Sequence, residues 1–184
     1  MKKRKKFLGK SVERKYLFEF VYGSIDGTIT TFAVVAGAVG ASLNSAIILI
    51  LGFANLFADG FSMAVSNYLS TKSQVELNLS HNHKHHHREK NPRKTALATF
   101  VAFVIGGAIP LLPFLLASQS PLINSNKFLF ASVLTALAFL CIGSFRSHIT
   151  NKHPARTAIE TFVIGGIAAA IAFLVGYLLR GLVA

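Results

Sequence analysis

The chain has 184 residues, 52% of them apolar and only 14% charged, with nineteen Lys and Arg against seven Asp and Glu, a net charge of +12. These proportions exclude a disordered tail, a collagen and, with one cysteine, a disulfide-stapled secreted module. An ordinary soluble globule is excluded as well: residues 27–58 and 95–126 are two runs of 32 without Asp, Glu, Lys, Arg or His, and residues 128–145 and 161–179 add runs of 18 and 19.

Uncharged apolar runs of about 18 residues or more read as membrane spans. In chain order, residues 1–16 carry eight Lys and Arg and form a basic N-terminus. This start resembles the n-region of a signal peptide, but Glu13 and Glu19 interrupt what should be the apolar stretch, so no cleaved signal is expected. A straight helix of 32 residues would be about 48 Å long against a hydrocarbon core of about 30 Å, so residues 27–58 must break. The Gly, Ser and Asn at residues 40–45 are the natural place. Helix 1 is then expected over residues 17–41 and helix 2 over 46–70. A His-rich loop follows at 71–94, helix 3 at 95–117 up to Ser118-Gln119-Ser120-Pro121, helix 4 at 128–145 and helix 5 at 157–179. Pro110 and Pro113 should kink helix 3. The expected fold is an all-α membrane protein of five spans occupying residues 17–184.

Orientation follows from the basic residues. The N-terminus, residues 70–95 and residues 145–157 together hold seventeen Lys and Arg, while the other side keeps only Lys127 and Arg180. The positive-inside rule puts the N-terminus in the cytosol. It also explains the charge of +12 without nucleic acid: the cations face the cytosol and the anionic lipid of the bilayer. The basic start with no targeting extension fits a prokaryotic plasma membrane. Cys141 lies within helix 4, where burial makes an inert thiol.

Charge at membrane depth is costly and marks function by default. The 15 residues from Asp26 to Ala41 span only about 22 Å, too little to cross, so Asp26 lies inside the bilayer. Asp59 lies 13 residues into helix 2, about 20 Å from the same outer edge. The two acids share a depth. Asn55, Asp59, Met63 and Asn67 recur every four residues on helix 2, and Glu19, Tyr22, Asp26 and Thr30 at three and four on helix 1. Such stripes share a face and should meet each other or a symmetry mate. Carboxylate and amide oxygens are hard ligands and a thioether is soft; the mixture suits a borderline divalent ion such as Fe²⁺, Mn²⁺, Co²⁺ or Zn²⁺. Against this, Met63 can be packing alone, and Asn55 and Asn67 can simply bond across helices.

Four further features stand out. His81, His83, His85, His86 and His87 crowd into seven residues, a composition that binds transition metals or serves as a polar linker. Thr157 and Glu160 match a capping box for helix 5. The helix 3 start Pro-Arg-Lys-Thr-Ala-Leu-Ala-Thr-Phe (92–100) is echoed by Pro-Ala-Arg-Thr-Ala-Ile-Glu-Thr-Phe (154–162), either because basic-side helix starts look alike or through an old duplication. Gly23 with Gly27, and Ala33 with Gly37, have the small-xxx-small spacing of close helix contact or dimerisation.

Tyr-Gly-Ser-Ile-Asp-Gly-Thr-Ile-Thr-Thr-Phe-Ala-Val-Val-Ala-Gly (22–37) and Gly-Phe-Ala-Asn-Leu-Phe-Ala-Asp-Gly-Phe-Ser-Met-Ala-Val-Ser-Asn-Tyr-Leu-Ser-Thr-Lys-Ser (52–73) resemble the first two helices of the vacuolar iron transporter family, and Gly-Gly-Ala-Ile-Pro-Leu-Leu-Pro (106–113) extends the likeness into helix 3. The resemblance implies a five-helix protomer, a homodimer with a pathway at its two-fold interface, and export of Fe²⁺ or Mn²⁺ from the cytosol by proton antiport. Asp26 matches the family's helix 1 metal-binding aspartate, Met63 its helix 2 methionine, and Glu19 an acid near the pathway mouth. Asn55 stands where plant members have a glutamate, and Asp59 where they have a small residue. The long Glu- and Met-bearing cytosolic helices of some members are missing; a short His-rich stretch stands there.

The expectation is a transporter, not an enzyme, with no permanently bound cofactor, Fe²⁺ or Mn²⁺ as cargo, and lipid, protons and a second copy of the chain as partners. Its rivals are a non-transporting metal sensor or scaffold using the His tract, and a passive cation channel.

Overall fold

The structure, a computed structural model, describes residues 2–80 and 90–182, and the side chains of 16–79 and 90–182. All regular structure among the described residues is helical. Five helices are long and apolar enough to cross a membrane. Helix 1 is Lys2–Gly40, helix 2 Ser45–Ser80, helix 4 Lys127–Thr150 and helix 5 Pro154–Leu179. Helix 3 begins as Pro92–Ala108 and runs on through tightened turns to Gln119.

Local chemistry sets each boundary. Helix 1 stops where Ser42 takes φ 59°, and the amides of Ser42 and Leu43 turn back to the carbonyls of Val39 and Ala38, both at 2.9 Å. This is the Schellman arrangement, with Ser where Gly is usual. Asn44 then caps helix 2, its Oδ1 accepting from Ile47 N at 3.0 Å. Asn91 caps helix 3 by accepting from Arg93 N at 3.0 Å, with Pro92 in the first turn. His153 and Pro154 do the same for helix 5.

Several helices are longer than the apolar runs. Helix 1 starts at Lys2, although its membrane-crossing part is Tyr16–Gly40. Helix 2 continues to Ser80, and helices 4 and 5 extend to within three residues of each other, so the expected loops at 71–94 and 146–156 are partly helix. Charge limits where lipid begins; it does not stop a helix, which needs a cap or a Pro to end. Helix 3 answers Pro110 and Pro113 by tightening into 3-10 turns at Ile109–Leu111 and Leu116–Gln119. The expected capping box is absent: Thr157 lies buried inside helix 5, donating to the Pro154 carbonyl at 3.0 Å. Glu160 pairs instead with Arg146 of helix 4 at 3.3 Å.

Helix 1 is the hub and touches the other four. Its small residues make that possible. A Cβ on Gly23 would stand 2.6 Å from the Thr99 carbonyl, and one on Gly27 would strike the Phe103 carbonyl, so helix 1 lies directly on the backbone of helix 3. The Gly23–Gly27 pair therefore packs within the protomer and is not free for dimerisation. The interior holds Val35, Phe103 and Leu111 with Thr28, Thr31, Thr95, Thr99 and Thr135, while large apolar side chains such as Phe61 (66% exposed) and Leu178 (69%) point outward. Lipid is as apolar as leucine, so a span gains nothing by hiding leucine and gains most from close backbone contact. Cys141 follows this rule: it sits on the outer surface of helix 4 and is not buried.

The two echoed helix starts are built alike. Thr95 and Thr157 each donate back to the helix-opening proline, and Thr99 and Thr161 donate to Thr95 and Thr157, both at 2.9 Å.

Candidate functional site

Asp26 and Asp59 stand at one height. Gly27 lies against the Phe103 backbone, and a Cβ on Gly60 would lie 3.1 Å from the Phe103 ring, so the residues next to both acids meet the same residue of helix 3. Asp26 is half-buried and Asp59 exposed. Among the described residues neither belongs to an ion pair. Two acids without an ion-pair partner among the described residues thus stand within the membrane-crossing segments of helices 1 and 2.

The four-residue stripe on helix 2 does not keep one environment. At 3.6 residues per turn, each step of four overshoots by about 40°, so three steps carry Asn67 about 120° around the helix from Asn55. Asn67 is thereby turned into the contact with helix 3, donating to Thr99 Oγ1 at 2.6 Å and accepting from Thr71 at 3.3 Å. It is an interhelical strut. Met63 is half-buried and packs against the core cluster that includes Phe103 and Val35. Asn55 is half-buried, and its Nδ2 has no partner among the described residues. On helix 1, Thr30 donates to the backbone carbonyl of Asp26 at 2.9 Å, and exposed Tyr22 stacks on Phe18 at 6.0 Å.

A different row keeps to one side. Asp59, Ser62, Ser66, Ser70 and Ser73 are all exposed, and their spacing of three, four, four and three follows the helix period. Sequence reasoning missed these serines because it followed a spacing of four. A mixed spacing of three and four was the signal. They carry hydroxyls from Asp59 along helix 2 to the end of the bundle where Lys72, Arg93, Arg146 and Lys152 gather, here called the basic end.

Glu19 lies apart from the pair, toward the basic end. Its side chain is buried, and Oε1 accepts from Lys90 Nζ at 2.6 Å. Lys90 Nζ also stands 5.7 Å from the Phe18 ring centre. Oε2 has no partner among the described residues. Lys90 was invisible as a partner in the sequence, since 71 residues separate the two. His81, His83, His85, His86 and His87 lie outside the described residues. Among the described residues, no three His, Cys, Asp or Glu side chains converge as a metal cluster.

The sequence profile of the VIT family matches residues 17–88 and 76–177 of the chain. The chain belongs to the VIT family. The two matched stretches meet at residues 76–88, at the joint between helices 2 and 3. The vacuolar iron transporter of Plasmodium berghei is 24% identical over 230 aligned positions, covering 92% of this chain and 84% of that protein. Vacuolar iron transporter 1 of Arabidopsis thaliana is 26% identical over 210 positions, covering 84% and 82%. The vacuolar iron transporter of Plasmodium falciparum is 25% identical, covering 92% and 84%. These alignments are longer than the 184-residue chain, so the relatives carry residues that this short VIT-family chain lacks. The chain is an integral multi-pass membrane protein of a family whose named relatives are metal transporters.

Proposed function

We propose that this protein carries Fe²⁺ or Mn²⁺ out of the cytosol in exchange for protons, along the outer face of helices 1 and 2 where two copies of the chain meet. The observation that carries the reading is the pair Asp26 and Asp59, level with each other inside the span and in no ion pair among the described residues. A carboxylate at that depth is tolerated when a cation or a proton neutralises it. One chain supplies two carboxylates and, from Met63, a half-buried thioether. A second copy across a two-fold axis doubles the set and reaches the ligand number of a divalent cation.

The chemistry of exchange follows from the ligands. A carboxylate must be deprotonated to bind metal, so metal arriving at Asp26 and Asp59 displaces any proton there, and a returning proton displaces the metal. The hydroxyl row from Ser62 to Ser73 supplies weak oxygen ligands between the basic end and Asp59. Asn55 supplies a further amide next to the acids. Glu19 stands near the mouth of that route, held by Lys90. The basic end faces the cytosol in this reading, as the positive-inside rule requires.

The test is metal uptake into liposomes reconstituted with the protein under an imposed pH gradient, comparing Fe²⁺, Mn²⁺, Zn²⁺ and Ca²⁺. Uptake of Fe²⁺ or Mn²⁺ that rises with the gradient and falls to the level of empty vesicles in Asp26→Ala and Asp59→Ala is the expected result. Unchanged uptake in Asp26→Ala removes the mechanism. Flux that ignores the pH gradient replaces the antiporter with a channel. Metal binding that depends on residues 81–87 without any flux replaces it with a sensor.

A further inference from the structure

Between helices 2 and 3, near the basic end, lies an open apolar groove of about 340 Å³. Helix 2 lines it with Phe61, Ala64, Val65 and Tyr68, and helix 3 with Ala96, Leu97 and Phe100. At 100° per residue Phe61 and Tyr68 lie on roughly the opposite side of helix 2 from Asp59, so the groove does not belong to the acidic face. Its volume falls within the range of about 300–1,000 Å³ typical of ligand sites.

Both walls end in a cation. On helix 2 the stripe Phe61, Val65, Tyr68 continues by the three–four spacing to Lys72, and on helix 3 the stripe Phe100, Leu97 continues to Arg93. Hydrogen bonds set the levels of the two helices: Asn67 meets Thr99, and one turn further out Thr71 meets Thr95. Lys72, Arg93 and Lys94 therefore stand at one height, just beyond the groove. All three are exposed. Lys72 makes a loose exposed pair with Glu76 at 3.7 Å, and among the described residues Arg93 and Lys94 make none.

We infer that this groove is a site for one anionic phospholipid, an acyl chain lying along Phe61–Tyr68 and Ala96–Phe100 and the phosphate resting on Arg93, Lys94 and Lys72. The match is one of shape and charge together. The occupant must be apolar along the rise from Phe61 to Tyr68, about 10 Å. It must be negative where the groove reaches the basic end. A second copy of the chain fails the charge condition, because its own cations gather at the same end and would face these three. A neutral lipid leaves the rim unmatched.

The experiment is native mass spectrometry of the detergent-purified full chain offered phosphatidylglycerol and phosphatidylcholine of identical acyl chains. Phosphatidylglycerol should be retained in excess. Each cation near a membrane surface adds about a fivefold preference for anionic lipid, so Arg93→Gln with Lys94→Gln should cut the excess about 25-fold. Lys152→Gln, the same charge change in the loop between helices 4 and 5, should leave it intact. Ala96→Leu, which fills the groove, and Leu97→Gln, which puts an amide in it, should each lower retention of phosphatidylglycerol with all three cations present. Far-UV circular dichroism checks that every variant keeps its helix content, and the exposed Leu97→Gln serves if Ala96→Leu does not fold. Equal retention of the two lipids overturns the inference. So does an equal loss in Lys152→Gln, which reports diffuse charge, retention unmoved by both groove variants, which reports a headgroup contact alone, or a change in the number of chains per particle when the groove is filled.

Discussion

The buried pair Glu19–Lys90 has unequal halves, and the inequality can be measured. The Glu19 side chain is 5% exposed and the Lys90 side chain 37%. Lys90→Met keeps the apolar stem and removes the ammonium, which leaves a carboxylate shut in with neither oxygen partnered among the described residues. Breaking a buried pair in this way costs about 3–5 kcal/mol; the partial exposure of Lys90 puts the value near the lower end. In Glu19→Gln the ammonium is left over, and it can reach water by rotating its flexible stem. That loss falls in the range of an exposed pair, about 1 kcal/mol or less. The double variant carries no charge to strand and should lie within about 1 kcal/mol of the parent. Lys90→Arg should keep most of the stability, since it keeps the charge. Unfolding of the purified protein in mixed micelles, titrated with SDS and followed by circular dichroism, gives all four values. Equal losses for the two single changes, or a Lys90→Met protein as stable as the parent, would refute the view that Lys90 neutralises a buried acid.

Further predictions use the same titration. Gly27→Ala drives a Cβ into the Phe103 backbone and should cost about 1–3 kcal/mol, whereas Gly166→Ala meets nothing within 4 Å and should be neutral or stabilising by up to about 1 kcal/mol. Similar changes at the two positions would show that helices 1 and 3 are not in backbone contact. Thr99→Val removes the bond from Asn67 and should cost about 0.6 kcal/mol, at most about 1.7. Thr31→Val should cost nothing, because the buried Thr31 hydroxyl has no partner among the described residues. Ser42→Gly relieves a left-handed residue and should raise stability by up to about 1 kcal/mol; a loss there would argue against the cap.

The sequence by itself determined that the chain crosses a membrane five times, that Asp26 and Asp59 share a depth, and that the cations collect at one end. Those conclusions need only lengths and charges, because a bilayer of fixed thickness turns residue number into depth. Boundary chemistry was partly legible: the capping box at Thr157 and Glu160 was not formed, whereas the break at residues 40–45 and the opening of helix 3 at Pro92 were readable. The true helix lengths were not, because a charged stretch such as Lys72–Ser80 stays helical once it has left lipid.

Only the tertiary structure decided which polar residue faces what. Asn67 and Asn55 look equivalent in the sequence, yet one is a strut to Thr99 and the other keeps an unpartnered amide. Gly23 and Gly27 have the spacing of close helix contact or of a dimer motif, and they seat helix 1 on helix 3. Glu19 found Lys90 across 71 residues. In a span large apolar side chains occur inside and out, so hydropathy alone does not tell a helix which way to turn. Backbone approach at glycine and a few directional hydrogen bonds do, and these depend on which helices become neighbours.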